Sequence, residues 1–432
     1  MSNVVVHSVP FHAHVKHGAK NLLAHDQARA AKLLQGLHPH GPNANWESHH
    51  HRRHRHHHHG HGHKHPEEGE DPSHPAPSEP APAPVPPAGD PDSAAESIDV
   101  TDAGVTYTIS VGVGSPATDY TLLIDTGSSN TWVGADKSYK STSTSHSTRK
   151  QVNVTYGSGS FSGTEFTDQV SLGGNLIIKS QSIGVASKAT GFQGVDGILG
   201  IGPVDLTAGT VSGTPNVPTV MDNLFGQKTI PTESLAISFN PTTSNGEVNG
   251  ELSFGSTDSS RFTGEIAFTP ITKTSPASQY WGIDQTITYG SSGSPILTSA
   301  GIVDTGTTLL LIATDAFNAY QDATGATMDQ ATGLLTVTDD QLSNMESLFF
   351  EIGSTTFEFT ANAQLWPRSL NSVIGGEDGK NYLIVSDLGS NSGSGLDFIN
   401  GFGWLQRFYS VFDTTDSRVG IATTPFTDAT TN

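Results

Sequence analysis

The chain has no cysteine among its 432 residues. That excludes disulfides, thiolate nucleophiles and cysteine-held metals, and it leaves the redox compartment unmarked. Charge is also scarce: Asp, Glu, Lys and Arg make up 15% of the residues, against roughly 25% in an average soluble protein. No run approaches the roughly 18 apolar residues that a membrane-spanning helix needs. The first ten residues, Met1 to Pro10, hold no basic stretch followed by an apolar one and no small-residue cleavage site, so the sequence reads as soluble with no recognisable export signal. Histidine is missing from most of the chain. Of 20 residues, 19 lie within positions 1–74, and His146 stands alone beyond them.

What is abundant is glycine, 47 residues dispersed with Ser and Thr. From about Ile98 onward, short apolar or alternating runs are broken by Gly, Asn, Ser and Pro, as in residues 107–114. Such spacing predicts an all-β body with few short helices, one of them over 315–323. The length suggests two or three domains. Before residue 95 the composition differs. Leu22, Leu23, Ala30, Leu33 and Leu34 fall at helical spacing ahead of Gly36, which predicts a short amphipathic helix over about 20–35. Residues 49–65 hold 11 histidines, and residues 66–92 form an acidic tract rich in Pro and Ala; neither composition builds a core.

One internal repeat organises the body. Leu122-Leu123-Ile124-Asp125-Thr126-Gly127-Ser128-Ser129 recurs as Gly301-Ile302-Val303-Asp304-Thr305-Gly306-Thr307-Thr308. Each copy is an apolar strand running into Asp-Thr-Gly, so the body divides into two similar lobes, 95–275 and 276–432. A single Asp-Thr-Gly would pass for a buried turn, with Asp accepting backbone N–H groups and Gly supplying a positive φ. Duplication is what that reading leaves unexplained. If the lobes pack about a pseudo-twofold axis, the two carboxylates meet and cannot both ionise, so they share a proton. A water between them can then lose a proton to one carboxylate while the other donates to a peptide carbonyl. Competing chemistries lack residues: a Ser-His-Asp triad would have to use His146, in a polar segment read as an exposed loop, and a zinc site wants more than one body histidine. No metal and no cofactor is expected.

With these residues in view, the sequence resembles the pepsin-like aspartic proteinases, most nearly the cysteine-free basidiomycete enzymes of the polyporopepsin type. The likeness spans about 95–432. It is carried by Asp125 through Trp132, Val154-Thr155-Tyr156-Gly157-Ser158-Gly159-Ser160, Asp196-Gly197-Ile198-Leu199-Gly200, Asp304 through Thr308 and Arg407 through Asp413. The resemblance implies a bilobed β fold and an acid endopeptidase with Asp125 and Asp304 as catalytic residues. Thr126, Gly127, Ser128, Thr305, Gly306, Thr307 and Thr308 would support the two loops. Tyr156, Gly157 and Ser158 would form a flap over the substrate, with Trp132 anchoring the Tyr156 phenol. Peptide and protein substrates, apolar around the cut, follow from the same likeness, as do a monomeric, extracellular or vacuolar protein and no nucleic-acid or membrane partner. A non-catalytic binding or inhibitor protein of the same fold is the alternative. In the family each catalytic strand is crossed by an apolar pair plus Gly, here Ile198-Leu199-Gly200 and Ile399-Asn400-Gly401. Asn400 and Phe402 depart from the usual Ile-Leu-Gly-Asp, so the packing beneath Asp304 is expected to differ.

The resemblance also makes residues 1–94 a propeptide that covers the cleft as an intramolecular inhibitor. Charge gives a second argument. Residues 1–94 carry 8 basic and 9 acidic residues plus 19 histidines, whereas the body has 13 basic and 33 acidic. Acidification through the ordinary histidine range near ~6.5 would make the segment strongly positive against an acidic body, with attraction greatest near pH ~5–6. The histidine tract could equally be a solvated low-complexity stretch or bind metal loosely without a defined site.

Overall fold

The computed structural model describes residues 7–15, 22–36, 105–157, 159–241 and 248–431. The histidine tract, the Pro/Ala-rich tract and Ser158 lie outside the described residues. Within them, strands dominate and helices are few and short. The helix read at 315–323 is found as Thr314–Thr324, closed by Gly325 in the left-handed region at φ 66°.

The same strand pattern is built twice. Strand Val105–Val113 pairs antiparallel with Thr118–Asp125, which lies parallel to Gly197–Gly200 with Asp125 opposite Gly200. In the second lobe Gly282–Tyr289 pairs antiparallel with Pro295–Val303, which lies parallel to Phe398–Asn400. The apolar residues just before each aspartate, Ile124 and Val303, are fully buried. Each Asp-bearing strand therefore lies between two partners, and its buried end carries Asp125 or Asp304.

A long hairpin, His146–Tyr156 with Gly159–Ser171, rises from the first lobe. His146 is exposed, as expected, but it opens this strand and does not sit in a loop. Trp132, Val154, Tyr156, Phe161, Phe192 and Ile198 make a separate apolar cluster near the tip of the hairpin. The lobes share one sheet, since Phe408–Asp413 from the end of the chain pairs with Ser234–Phe239.

Two pieces of the N-terminal segment are described, and both are docked. Strand His7–Val15 pairs with Val248–Phe254 and then with Val105–Val113. Nothing in the sequence marked it as a strand, because Pro10 interrupts the run. The reason it is tolerated lies in the register. Residues 7–12 pair with Val248–Phe254 and 12–15 with Val105–Val113, so Pro10 has a strand neighbour on one side only, where its missing N–H costs at most one ladder bond. Phe11 is fully buried and meets Tyr107 and Phe239 edge-on at 5.3 and 5.2 Å.

The second piece is helix α1, Leu22–Leu34, within the interval the spacing predicts and followed by Gly36 at φ 66°. Its buried positions are Leu22, His25, Asp26, Arg29, Ala30, Lys32 and Leu33. Most of these recur every three or four residues, one face of a helix, but four of the seven are polar or charged. Burying such a face requires partners for each charge.

Candidate active site

Asp125 and Asp304 are 3% and 0% exposed, side by side at the ends of their strands. Their loops are tied reciprocally: Thr126 N–H donates to Thr305 Oγ1 (3.1 Å), Thr305 N–H donates to Thr126 Oγ1 (2.9 Å), and the Thr305 hydroxyl donates to the Ile124 carbonyl (3.0 Å). Each carboxylate is then held by its own loop in the same way. Gly127 N–H and the Ser128 hydroxyl donate to Asp125 at 2.9 and 2.6 Å. Gly306 N–H and the Thr307 hydroxyl donate to Asp304 at 3.1 and 2.7 Å. The two glycines are required by the opposite lobe. A Cβ on Gly127 would stand 2.7 Å from Asp304 Oδ1, and one on Gly306 would stand 2.7 Å from Asp125 Oδ1.

Over this pair lies Arg29 of α1. Its Nε and Nη2 donate to Asp304 Oδ2 and Oδ1 at 2.7 and 2.9 Å, and the same Nη2 donates to Asp125 Oδ1 at 2.5 Å. Burial alone would push the Asp304 carboxyl up, but the Arg29 charge and hydrogen bonds, with Thr307 and Gly306, outweigh it and hold Asp304 below its ordinary range. For Arg29, desolvation acts downward, and the two carboxylates more than offset it. With Arg29 in place, one positive charge lies between the two buried carboxylates and bonds to both.

The rest of the face of α1 is equally engaged. Asp26 Oδ2 accepts from Thr308 N–H and Leu309 N–H at 3.0 and 2.7 Å, and its other oxygen lies 3.3 Å from His25 Nδ1. The Tyr280 hydroxyl donates to the Leu33 carbonyl at 2.9 Å, and Gln27 Nε2 to the Asp387 carbonyl at 2.9 Å. Thr308, read as loop support, thus turns its backbone N–H toward the N-terminal segment.

The hairpin closes from the other side. Trp132 Nε1 donates to the Tyr156 hydroxyl at 3.0 Å, and the Trp132 ring stacks on Phe161 at 4.2 Å. Burial, with the Asp125 charge, pushes the Tyr156 phenol well above its ordinary range, so it stays neutral. Gly157 rests on α1: a Cβ there would fall 2.3 Å from Arg29 Cα. What remains beneath the hairpin is a small gap lined by Arg29, Lys32, Ser128, Tyr156 and Leu206.

Sequence reading missed Arg29, Asp26 and His25. The available signal was a run of polar residues at positions 25, 26 and 29, in step with the apolar residues 22, 30 and 33. Beneath Asp304 the expected departure is found. Asn400 is fully buried and exchanges hydrogen bonds with Gln285, while Phe402 packs on Tyr107 at 4.6 Å.

Residues 106–424 match the family model described as eukaryotic aspartyl protease. Over 341 residues the chain is 65% identical to polyporopepsin of Irpex lacteus, covering 78% of this chain and 100% of that protein. It is 33% identical over 339 residues to cathepsin E of Oryctolagus cuniculus, covering 73% of this chain and 80% of that one. Among solved structures, the aspartic proteinase from Irpex lacteus matches with a TM-score of 0.74 at 66% identity, over 76% of this chain and 96% of that chain.

Proposed function

The chain belongs to the eukaryotic aspartyl protease family and is an aspartic endopeptidase, and from that premise we propose that Asp125 and Asp304 activate the attacking water and that residues 1–94 hold the enzyme latent until acid releases them. The single observation that carries both parts is Arg29, whose guanidinium bonds to both carboxylates at once.

Once that cation leaves, two carboxylates facing one point cannot both stay ionised, and they share one proton across an acidic range. A water takes the vacated position. The ionised carboxylate accepts its proton as the water oxygen bonds to the peptide carbon, and the protonated one donates to the carbonyl oxygen. Collapse of this tetrahedral species breaks the C–N bond, and the amine nitrogen leaves with a proton. Thr126 and Thr305 keep the loops in register. Gly127 and Gly306 leave room for the opposite carboxylate, and Ser128 and Thr307 orient the acids. Tyr156, held by Trp132, closes the hairpin over the substrate and thins the water around the scissile bond. Gly157 and Ser158 belong to that tip. Substrate lies extended along the cleft, pairing main chain to main chain, with apolar side chains flanking the cut.

Latency is supported by the depth of the contact and by length. The Irpex lacteus polyporopepsin sequence matches 78% of this chain over its whole length, and the family model starts at residue 106, so the family match leaves the N-terminal segment of this chain outside it. The released body, 95–275 and 276–432, acts as a monomer in an acidic extracellular or vacuolar setting. The test is cleavage of an unfolded protein at pH 3–4 by acid-processed chain. Asp125→Asn and Asp304→Asn should each lower kcat by at least ~10³-fold. Full activity in either variant rejects the assignment.

A further inference from the structure

Beneath Asp304 the protein buries two amides where its first lobe has two apolar side chains. Asn400 Nδ2 donates to Gln285 Oε1 at 2.9 Å, and Gln285 Nε2 donates back to Asn400 Oδ1 at 3.0 Å. The side chains are 0% and 3% exposed, so no water competes for these bonds. Register identifies their counterparts. Asn400 pairs with Val303 and Leu199 pairs with Ile124, each partner being the residue before an active-site aspartate. Gln285 pairs with Ser299 and Val111 with Tyr120, both partners standing at equivalent places in the repeated strand. The duplicated fold thus fills one pair of sites with Val111 and Leu199 and the other with Gln285 and Asn400.

Asn400 lies against the loop that carries Asp304. Asp304 N–H donates to the Asn400 carbonyl at 3.2 Å, Phe402 N–H to the Thr307 carbonyl at 2.7 Å, and Gly403 N–H to the Thr308 carbonyl at 2.9 Å. No Cβ fits at Gly401, where it would stand 2.2 Å from the Leu309 carbonyl oxygen. Residues 400–403 are therefore the bed under 304–308, and the amide pair bolts that bed to strand Gly282–Tyr289. Hydrogen bonds are directional and tolerate little displacement; apolar contacts are not directional. Moving the bed would leave two buried amides unpaired, which is costly.

The two aspartates are otherwise held alike, each by a glycine N–H and one hydroxyl. Beneath the loops the lobes differ, with the amide pair under Asp304 and Val111 and Leu199 at the matching places in the first lobe. We propose that Gln285 and Asn400 are positioning residues for Asp304, fixing its loop against Asp125 and making the two carboxylates inequivalent. This rests on the reading of Asp125 and Asp304 as the catalytic pair.

Acid-processed full chain carrying Gln285→Val with Asn400→Leu would copy the first lobe into the second. With no amide left unpaired, its melting temperature should stay within a few degrees of the parent. Its kcat should fall about tenfold with KM within about twofold, and its pH profile should shift, because a small misplacement of a reacting group is costly. Gln285→Glu is isosteric. Protonated, the new carboxyl group accepts and donates as the amide does, so kcat near pH 3 should equal the parent's and then fall at a lower pH than the parent's does. Parent kcat and pH profile in the double variant overturn the proposal. Should that variant not fold, a Gln285→Glu profile that superimposes on the parent's overturns it instead. Asp304→Asn, assayed alongside, reports on the underlying reading alone: turnover there rejects the catalytic pair, whatever the amide variants do.

Discussion

The Arg29 guanidinium grips the Asp304 carboxylate with two prongs, Nε to Oδ2 at 2.7 Å and Nη2 to Oδ1 at 2.9 Å. The proposed latency would respond to acid through the carboxylates and not through the cation, because a guanidinium does not lose its proton in any working range. Asp304 is held below its ordinary value with α1 in place. A depressed carboxylate contributes its stabilisation above its ordinary value, and loses it as pH falls through the depressed one. The seat of α1 should therefore hold at pH 5 and above and fail below about pH 4.

Removing the cation tests this directly. Arg29→Ala leaves two buried carboxylates without their counter-charge, a loss of about 3–5 kcal/mol from the seat of the helix. The full chain should then cleave a peptide substrate at pH 5–6, where the parent is silent. Equal latency in the two proteins, measured as initial rate after mixing, would refute it.

Asp26 is the second anchor of the helix. Asp26→Ala leaves the N–H groups of Thr308 and Leu309 without that acceptor, and hydrogen bonds to a charged group contribute about 1.5–3 kcal/mol. The pH at which processing begins should rise, by less than in Arg29→Ala. Processing followed by gel against pH gives the answer.

The hairpin can be loosened without touching the acids. Trp132→Phe removes the donor to the Tyr156 hydroxyl and keeps an aromatic ring to stack on Phe161. Loss of one hydrogen bond of about 1 kcal/mol predicts a roughly fivefold lower kcat/KM. Steady-state kinetics at pH 3–4 decides; an unchanged ratio means the bond does not hold the closed hairpin.

Stability on the neutral side should depend on Glu233. Burial first, then the hydrogen bond and charge of Asp222, push its carboxyl up to about 7. The folded state holds this proton more tightly than the unfolded one, so stability declines as pH rises from about 4.3 to about 7. Glu233→Gln should raise the melting temperature at pH 7 by a few degrees and leave it unchanged at pH 4. A shift of the same size at both values would rule out titration as the cause.

For the histidine tract the expectation is electrostatic. Deleting residues 49–65, which hold 11 histidines, removes the positive charge they add in mild acid against the acidic body, so processing should begin at a higher pH than in the parent. A superimposable profile would leave the tract without a role in the grip of the segment.

Much of the site was legible in the chain alone. Duplication of an apolar strand running into Asp-Thr-Gly singled out Asp125 and Asp304, and alternation with dispersed glycine gave the β class. Helical spacing gave α1 within two residues of its start and one of its end. Absence of cysteine, and of all but one histidine from the body, removed rival chemistries. These are local or composition-borne signals, because side-chain period and turn chemistry are set within a few residues. Tertiary structure decided the rest. Arg29 meets Asp304 across 275 positions and Asp125 across 96, while Gln285 meets Asn400 across 115. No local period encodes such pairs; only the packed lobes bring them within 3 Å and strip the water that would otherwise make a charged helix face unremarkable.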